Sequence, residues 1–315
     1  MNGIVVVVGG ANLDIKGRLR DETALHTSNP GTVWRTFGGV GRNIAENLAV
    51  LGCPVRLVAP VGDDAAGQEV LRHLQDVGVD VEHVFPVEGE RTGTYLAVMD
   101  RSGEMEIAVA DMAIMDHLSP VELTSRRCAF GDAKVVCLDA NLPADVLSLA
   151  LDAARDESPR AVTVADPVSV PKALRLLPCL SRLDVITPSR DELAALSDMP
   201  VATLEDVARA ARALRARGVQ TVICTLGEQG VHVDTAAWTG LVPARSVEVV
   251  DVTGAGDAFT AGIIYGIYTK MAWAEAVDYA QGLAAQMVAS TASVLKRASD
   301  PVHAVSDRRG KGDKQ

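Results

Sequence analysis

Uninterrupted apolar runs recur along the chain: IVVVVG near the start, then VRLVAPVG, AKVVCLDA, AVTVADPV, DVITP and TVICTLG. Runs without polar alternation predict short strands buried on both faces. Stretches of a different period lie between them. In GGVGRNIAENLAVLG, Ile44, Ala45, Leu48, Ala49 and Leu51 recur at helical spacing, and Gly52 is a stop. AAGQEVLRHLQDVGV, PADVLSLALDAARD and LEDVARAARALRARGV repeat that amphipathic pattern. Buried strands alternating with helices predict an α/β body whose mostly parallel central sheet is covered on both faces.

Two stretches, 13–37 and about 88–111, lack helical periodicity. In the second, GTYLAVMD and EMEIAVAD flank the turn residues RSG, which predicts an antiparallel hairpin. Both stretches are expected to form a small β lid on the α/β body. No internal repeat or low-complexity linker divides the chain, so residues 1–298 are expected to be a single domain. The last residues, 299–315, include DRRGKGDKQ and are expected to be a disordered basic tail.

Composition narrows the function classes. The 315 residues are 48% hydrophobic and 23% charged, enough for a full core. No window reaches the roughly 18–20 apolar residues of a membrane-spanning helix. A net charge of −11 with only 3% aromatics argues against gripping nucleic acid. The five cysteines include no CxxC pair and the six histidines no HExxH, which fits a reducing cytoplasm and no built-in transition-metal site.

The chemistry is carried by DVTGAGD at 251–257. Gly254, Ala255 and Gly256 would expose backbone amides at a helix start, an arrangement suited to phosphate. Asp257 closes that turn with a negative charge. The carboxylate makes sense if a hydroxyl arrives beside the phosphate and Asp257 takes its proton. Taken alone, the seven residues fit a tight turn with a capping aspartate equally well. GxxxxGK[ST], HRD and DFG are all missing, which excludes P-loop enzymes and protein kinases.

Together with that turn, GGVGRNIAENLAVLG at 38–52 and DVTGAGDAFTAGI at 251–263 resemble the signature pair of the ribokinase-like (PfkB) family of carbohydrate and nucleoside kinases. The resemblance covers essentially residues 3–295. It implies a three-layer αβα body with a small β-strand lid, ATP and Mg²⁺ as cofactors, K⁺ as a further cation, and a homodimer formed through the lid. GGANLDIKG, TSNPG, GEMEIAVADM and DPVS are similar to the branch that phosphorylates the 5′-hydroxyl of pseudouridine, with TSNPGTV at 27–33 carrying most weight.

The resemblance also implies residue roles. Asn12 and Asp14 would bind ribose hydroxyls, Gly38 and Gly39 would let the backbone approach the sugar, and Asn43 would reach it from the following helix. Ser28, Asn29, Thr94, Asp111, Asn141 and Lys172 would close over the nucleoside and read the base. Thr225, Gly227 and Gly230 would hold the ATP ribose and phosphates, while Gly282 and Ala285 would leave space for adenine. Ser189 stands where the family motif has Asn, with Glu192 retained to orient Mg²⁺-bound water and Asp166 adding charge nearby. Asp251 would ligate a monovalent cation with carbonyls near 287–296.

Plainer readings accompany several of these residues. Asp14 and Asp166 suit turns, Asn43 suits a helix cap, Gly282 and Ala285 suit helix packing, and several base-reading candidates suit ordinary loops. The rival functions are a kinase for another ribonucleoside or sugar, and a sugar- or nucleoside-binding sensor that has kept the fold and lost catalysis.

Overall fold

The computed structural model describes residues 3–245, 247–290 and 292–295; the expected tail, 299–315, lies outside the described residues. In chain order the strands are β1 (Ile4–Val8), β2 (Asn12–Leu19), β3 (Gly31–Gly38), β4 (Val55–Gly62), β5 (Val84–Val87), β6 (Thr94–Met99) and β7 (Met105–Asp111). They continue as β8 (Ala133–Asp139), β9 (Val162–Asp166), β10 (Val185–Ile186), β11 (Thr221–Thr225), β12 (Val231–Asp234) and β13 (Thr239–Val242). The helices are α1 (Val40–Val50), α2 (Ala65–Asp76), α3 (Pro120–Ser125), α4 (Ala144–Glu157) and α5 (Val170–Ala173). After them come α6 (Arg190–Ser197), α7 (Leu204–Ala216), α8 (Ala255–Thr269) and α9 (Trp273–Val288).

The apolar runs assemble into one nine-stranded sheet in the order β13-β12-β11-β10-β9-β8-β1-β4-β5. From β11 to β5 every pairing is parallel. Successive β1 residues serve opposite layers. Val5 and Val7 pack with Ile44, Leu48 and Ile264 of α1 and α8, whereas Val6 and Val8 pack with Leu147 and Ala150 of α4. Each buried valine contributes about 1.5–3 kcal/mol. This two-sided demand is why β1 shows no polar alternation.

One edge departs from the expected pattern. β12 and β13 add antiparallel to β11. The short turn Gly227–Gln229 links β11 to β12. With only this 3₁₀ turn between β11 and β12, residues 231–242 lack the strand–helix rhythm that marked the rest of the sheet.

A second sheet has the order β3-β2-β6-β7 and forms the lid. The expected hairpin is its β6–β7 pair, with Thr94 opposite Asp111. β2 and β6 run parallel, so the lid sheet is mixed. Its two faces differ. Asp14 pairs with Thr36 and Tyr95 in a row on the cleft side, while Leu13 pairs with Phe37 and Thr94 on the opposite face, where Phe37 stacks on His73 of α2.

β1 neighbours β4 on one side and β8 on the other, so the chain changes direction across the sheet at that point. Outside the carboxyl ends of such strands the connections splay apart and leave a crevice.

Candidate active site

The crevice forms where the β1 and β8 ends meet the start of α1. Asp139, the last residue of β8, is buried and accepts from three backbone amides: Gly10 at 2.8 Å, Gly41 at 2.9 Å and Asn141 at 2.9 Å. It thereby joins three segments at one point. Burial raises its pKa, and the amide donors oppose that shift. Gly39 caps α1 with φ 95°, and a Cβ there would lie 2.4 Å from the Gly10 carbonyl oxygen. Only glycine accommodates both the left-handed turn and that approach.

Asn12 and Asp14 enter from β2. The Asn12 amide donates to Asp14 at 2.6 Å. Burial raises the Asp14 pKa, against the effect of that bond and of Lys16 and Arg42. Gly38 sits behind Asp14, where a Cβ would stand 2.2 Å from its carboxylate. Asn12, Asp14, Gly39, Asn43, Asn141 and Lys172 line one cleft of about 280 Å³, with Gly10, Tyr95, Met112 and Val168 among the other walls. Lys172 donates to the Asn141 side-chain carbonyl.

Asp257, on α8, adjoins this cleft through Asn43, which lines it. The Asn43 amide donates to its carboxylate at 2.5 Å. Burial raises the Asp257 pKa to about 6; Asn43 and Arg42 oppose the shift, while Asp139 and Asp14 add to it. Gly254 begins α8 with φ 77°, and a Cβ there would meet the Ser293 carbonyl oxygen at 2.3 Å. The Ala255 amide reaches Val252 at 3.3 Å. Those of Gly256 and Asp257 have no acceptor among the described residues. Two open amides at a helix N-terminus thus adjoin a carboxylate of raised pKa.

The remaining candidates gather beyond α8. Ser189 bridges to Thr225 across the ends of β10 and β11, with Gly227 and Gly230 in the turn that follows. Ser189 and Glu192 form a capping box on α6: the Ser189 amide donates to Glu192 at 2.8 Å, and the Glu192 amide to the Ser189 hydroxyl at 3.4 Å. Asp166 accepts from Thr260 at 2.8 Å, and Thr260 is 3.0 Å from the Thr187 hydroxyl. Burial, then the charge of Asp257 and, more weakly, of Glu192, pushes Asp166 up to about 8, against the Thr260 bond. Asp251 accepts from the Thr253 amide at 2.9 Å, beside the α9 end at Val288. Of the carbonyls expected around Asp251, those of 291 and 296 lie outside the described residues.

Some candidates stand away from the cleft. Thr94 and Asp111 form one pair in the row facing away from it, and Tyr95 and Met112 line the wall instead. Ser28 is exposed; Asn29 spends its amide on the Ala24 and Thr27 carbonyls and its oxygen on the Ala24 amide, bracing its own loop. The space expected over Gly282 holds the guanidinium of Arg245, which is held by Asp278 at 2.7 Å; Ala285 lies one turn further along α9.

Three site features escaped sequence reasoning. Asp139 looks like an ordinary strand-end residue, and Arg42 reads as a solvated helix position although it is 1% exposed. Val168 lines the cleft at φ 66°, uncommon for a β-branched residue, with its amide held by Asp166 at 2.9 Å. DANL and DPVS, each an acid at a strand end, were the available signals.

The pfkB family carbohydrate kinase model matches residues 4–297. The chain belongs to that family. Among its relatives, the pseudouridine kinase of Escherichia coli K12 is 35% identical over 279 residues, 88% of each chain. The guanosine-inosine kinase of Exiguobacterium acetylicum is 32% identical over 293 residues, 92% of this chain and 96% of the relative. The ribokinase of Arabidopsis thaliana, solved with ribose and ATP, superposes with a TM-score of 0.82 at 25% identity, covering 94% of this chain and 97% of that one. As a pfkB kinase the protein is a phosphotransferase with an alcohol acceptor, of the sugar and nucleoside class. These relatives differ in acceptor, so membership defines the reaction more narrowly than the substrate. Among the described residues, no helix is long and apolar enough to cross a membrane.

Proposed function

We propose that this pfkB kinase transfers the γ-phosphoryl group of ATP to the 5′-hydroxyl of a ribonucleoside, with pseudouridine as its preferred acceptor. The observation that carries the reading is the contact between Asn43 and Asp257, which joins the nucleoside-sized cleft to the open amides of α8. Asp14 and Asn12 bind the ribose hydroxyls, and Gly38 and Gly39 admit the sugar. Asp257 takes the 5′-hydroxyl proton as that oxygen bonds to the γ-phosphorus and the bond to the β-phosphate oxygen breaks, releasing ADP. The amides of Gly256 and Asp257, with Gly254 and Ala255 shaping the turn, receive the charge on the transferring group.

Ser189, Thr225, Gly227 and Gly230 hold the nucleotide; Arg245 stands against Gly282, so adenine beside Gly282 and Ala285 requires that side chain to be displaced. Among the described residues no group of three or more His, Cys, Asp or Glu side chains is placed to ligate a metal. Asp166 and Glu192, close enough for their charges to interact, would hold Mg²⁺ through its water shell. Bound there, Mg²⁺ neutralises phosphate charge. Asp251, beside the α9 carbonyls, fits a monovalent cation such as K⁺.

Asn141 and Lys172 read the base: Lys172 donates to a uracil carbonyl, and Asn141 accepts from the N1–H that uridine lacks. Ser28, Asn29, Thr94 and Asp111 join only if the lid moves. The apolar outer face of the lid supports a homodimer. Four of the five cysteines are buried free thiols and Cys128 an exposed one, which suits a reducing, cytoplasmic setting. A purine nucleoside is the second reading, supported by the similarity to the guanosine-inosine kinase.

The test measures ADP formation with pseudouridine, uridine, inosine and ribose as acceptors. A site built around a donor rejects the analogue lacking it by up to about 10⁴-fold in kcat/KM, because its acceptor is left unpaired. Pseudouridine should therefore far exceed uridine. A higher kcat/KM for inosine selects the purine reading, and one for ribose removes the nucleoside assignment.

A further inference from the structure

Beneath the Asn43–Asp257 contact lies a buried charged network that the phosphoryl-transfer reading does not use. Arg42 is 1% exposed, and its guanidinium meets four partners. Nε donates to the Gly38 carbonyl at 3.1 Å and Nη2 to the Phe37 carbonyl at 2.7 Å, both at the end of the lid strand β3. Nη2 also donates to the side-chain oxygen of Asn43, and Nη1 to the carboxylate of Glu46, one turn along α1. Glu46 is itself 4% exposed and meets His73 Nε2 of α2 at 2.9 Å. The His73 ring stacks on Phe37, with centroids 4.4 Å apart.

We propose that Arg42 is a positioning residue for phosphoryl transfer: by holding the Asn43 oxygen it turns the Asn43 amide toward Asp257, and Glu46 with His73 holds Arg42 in place. This rests on the reading of Asp257 as the base. The chemistry is directional. An inverted Asn43 amide would set its oxygen against the Asp257 carboxylate and its NH₂ against the guanidinium, so both contacts would turn repulsive. With Arg42 in place only one orientation leaves every donor with an acceptor.

The same guanidinium ties that orientation to the end of β3, so the lid strand and the base share one anchor. Its planar fork serves Gly38, Phe37, Asn43 and Glu46 at once, which an ammonium cannot do. The charged groups acting on Asp257 are Arg42, which favours its ionised form, and Asp139 and Asp14, which oppose it. Asp166 is coupled to Asp257 from β9. Arg42 itself faces Glu46, Asp257 and Asp14, and Glu46 faces His73.

The experiment compares wild type with Arg42→Met, Arg42→Lys and the double variant Arg42→Met/Glu46→Leu. Each is measured for kcat and KM toward the nucleoside, for kcat against pH, and for nucleoside binding by calorimetry. Arg42→Met should lower kcat about 10–100-fold while nucleoside KM changes less than about 3-fold, and its acid limb should move to higher pH. Arg42→Lys keeps the charge and loses the fork, so its acid limb should stay near wild type while kcat remains reduced.

Arg42→Met alone leaves Glu46 without its cation, which can prevent folding. The double variant removes both charges and should show the same loss of kcat with nucleoside binding retained. A double variant with wild-type kcat and acid limb overturns the proposal, as does a loss confined to KM. If Asp257→Asn keeps full turnover, the base reading itself fails; if Asp257→Asn is inactive while the Arg42 variants are normal, only the positioning role fails.

Discussion

At the scale of single residues, Asp257 illustrates a conflict between stability and chemistry. Its carboxylate is half-buried, and burial raises its pKa to about 6 in the folded protein, above the ordinary value of 3.8. Between those values the folded state holds the proton more firmly than the unfolded state. The contribution of this group to stability therefore falls as pH rises through that window, and above about 6 the folded protein carries the full cost of the buried charge. A base must nevertheless be ionised, so kcat should decline as pH drops through about 6. Asp257→Asn removes the charge while keeping an oxygen to accept from Asn43. It should abolish most turnover with nucleoside binding retained, and raise stability at pH 8 by on the order of 1–3 kcal/mol, since one pKa unit is about 1.4 kcal/mol. Steady-state kinetics beside urea unfolding at pH 5 and pH 8 checks both halves. Near-full turnover would reduce Asp257 to a helix cap.

At the scale of elements, the decisive feature is how helix ends converge. The N-termini of α1 and α8 approach the same point, joined by Asn43 and Asp257, and their partial positive charge favours anions there. α6 begins nearby at Ser189, whose box with Glu192 satisfies a backbone donor on each residue. Ser189→Ala should cost about 1 kcal/mol of stability, the usual worth of an N-cap side chain, whereas Asn caps about as well as Ser. Ser189→Asn should therefore leave the melting temperature unchanged and shift the KM for ATP, with the ranking of nucleosides unaltered. Kinetics against ATP and against the acceptor panel separates these outcomes. An altered nucleoside ranking would move this loop to the acceptor side.

For the whole molecule, the lid is the part whose outer face is most open among the described residues. The α/β body buries its sheet between helices, but among the described residues the outer rows of the lid, Val33–Gly17–Val98–Ile107 and Arg35–Ile15–Leu96–Val109, are largely open, with Arg35 reaching Glu69 of α2. Val33, Leu96, Ile107 and Val109 are all exposed there, and a contiguous apolar sheet face of this kind is an association surface. A second copy of the chain, meeting lid to lid, is the occupant we expect. The double variant Ile107→Lys/Val109→Lys should halve the mass measured by light scattering at micromolar concentration. A wild type already monomeric at that concentration would remove the homodimer.

The sequence by itself determined the strand–helix alternation, the hairpin of GTYLAVMD and EMEIAVAD and the two glycine motifs, because each depends on local periodicity or on turn chemistry within a few residues. It also marked Asp257, Asn43, Asn12 and Asp14 as a group, through motif resemblance. Tertiary structure alone decided which residues meet. Asp139 became the joint of three segments because parallel pairing of β1 and β8 brings Gly10 beside it. Arg42 became a buried anchor because Glu46, one helical turn on, and the β3 carbonyls surround it. Thr94 and Asp111 turned away from the cleft because strand register, in which one position reverses the face, is a property of the pair and not of either strand. Burial and charge proximity arise only when distant segments pack, and they separate Asp257 at about 6 from Asp166 at about 8, two aspartates alike in sequence.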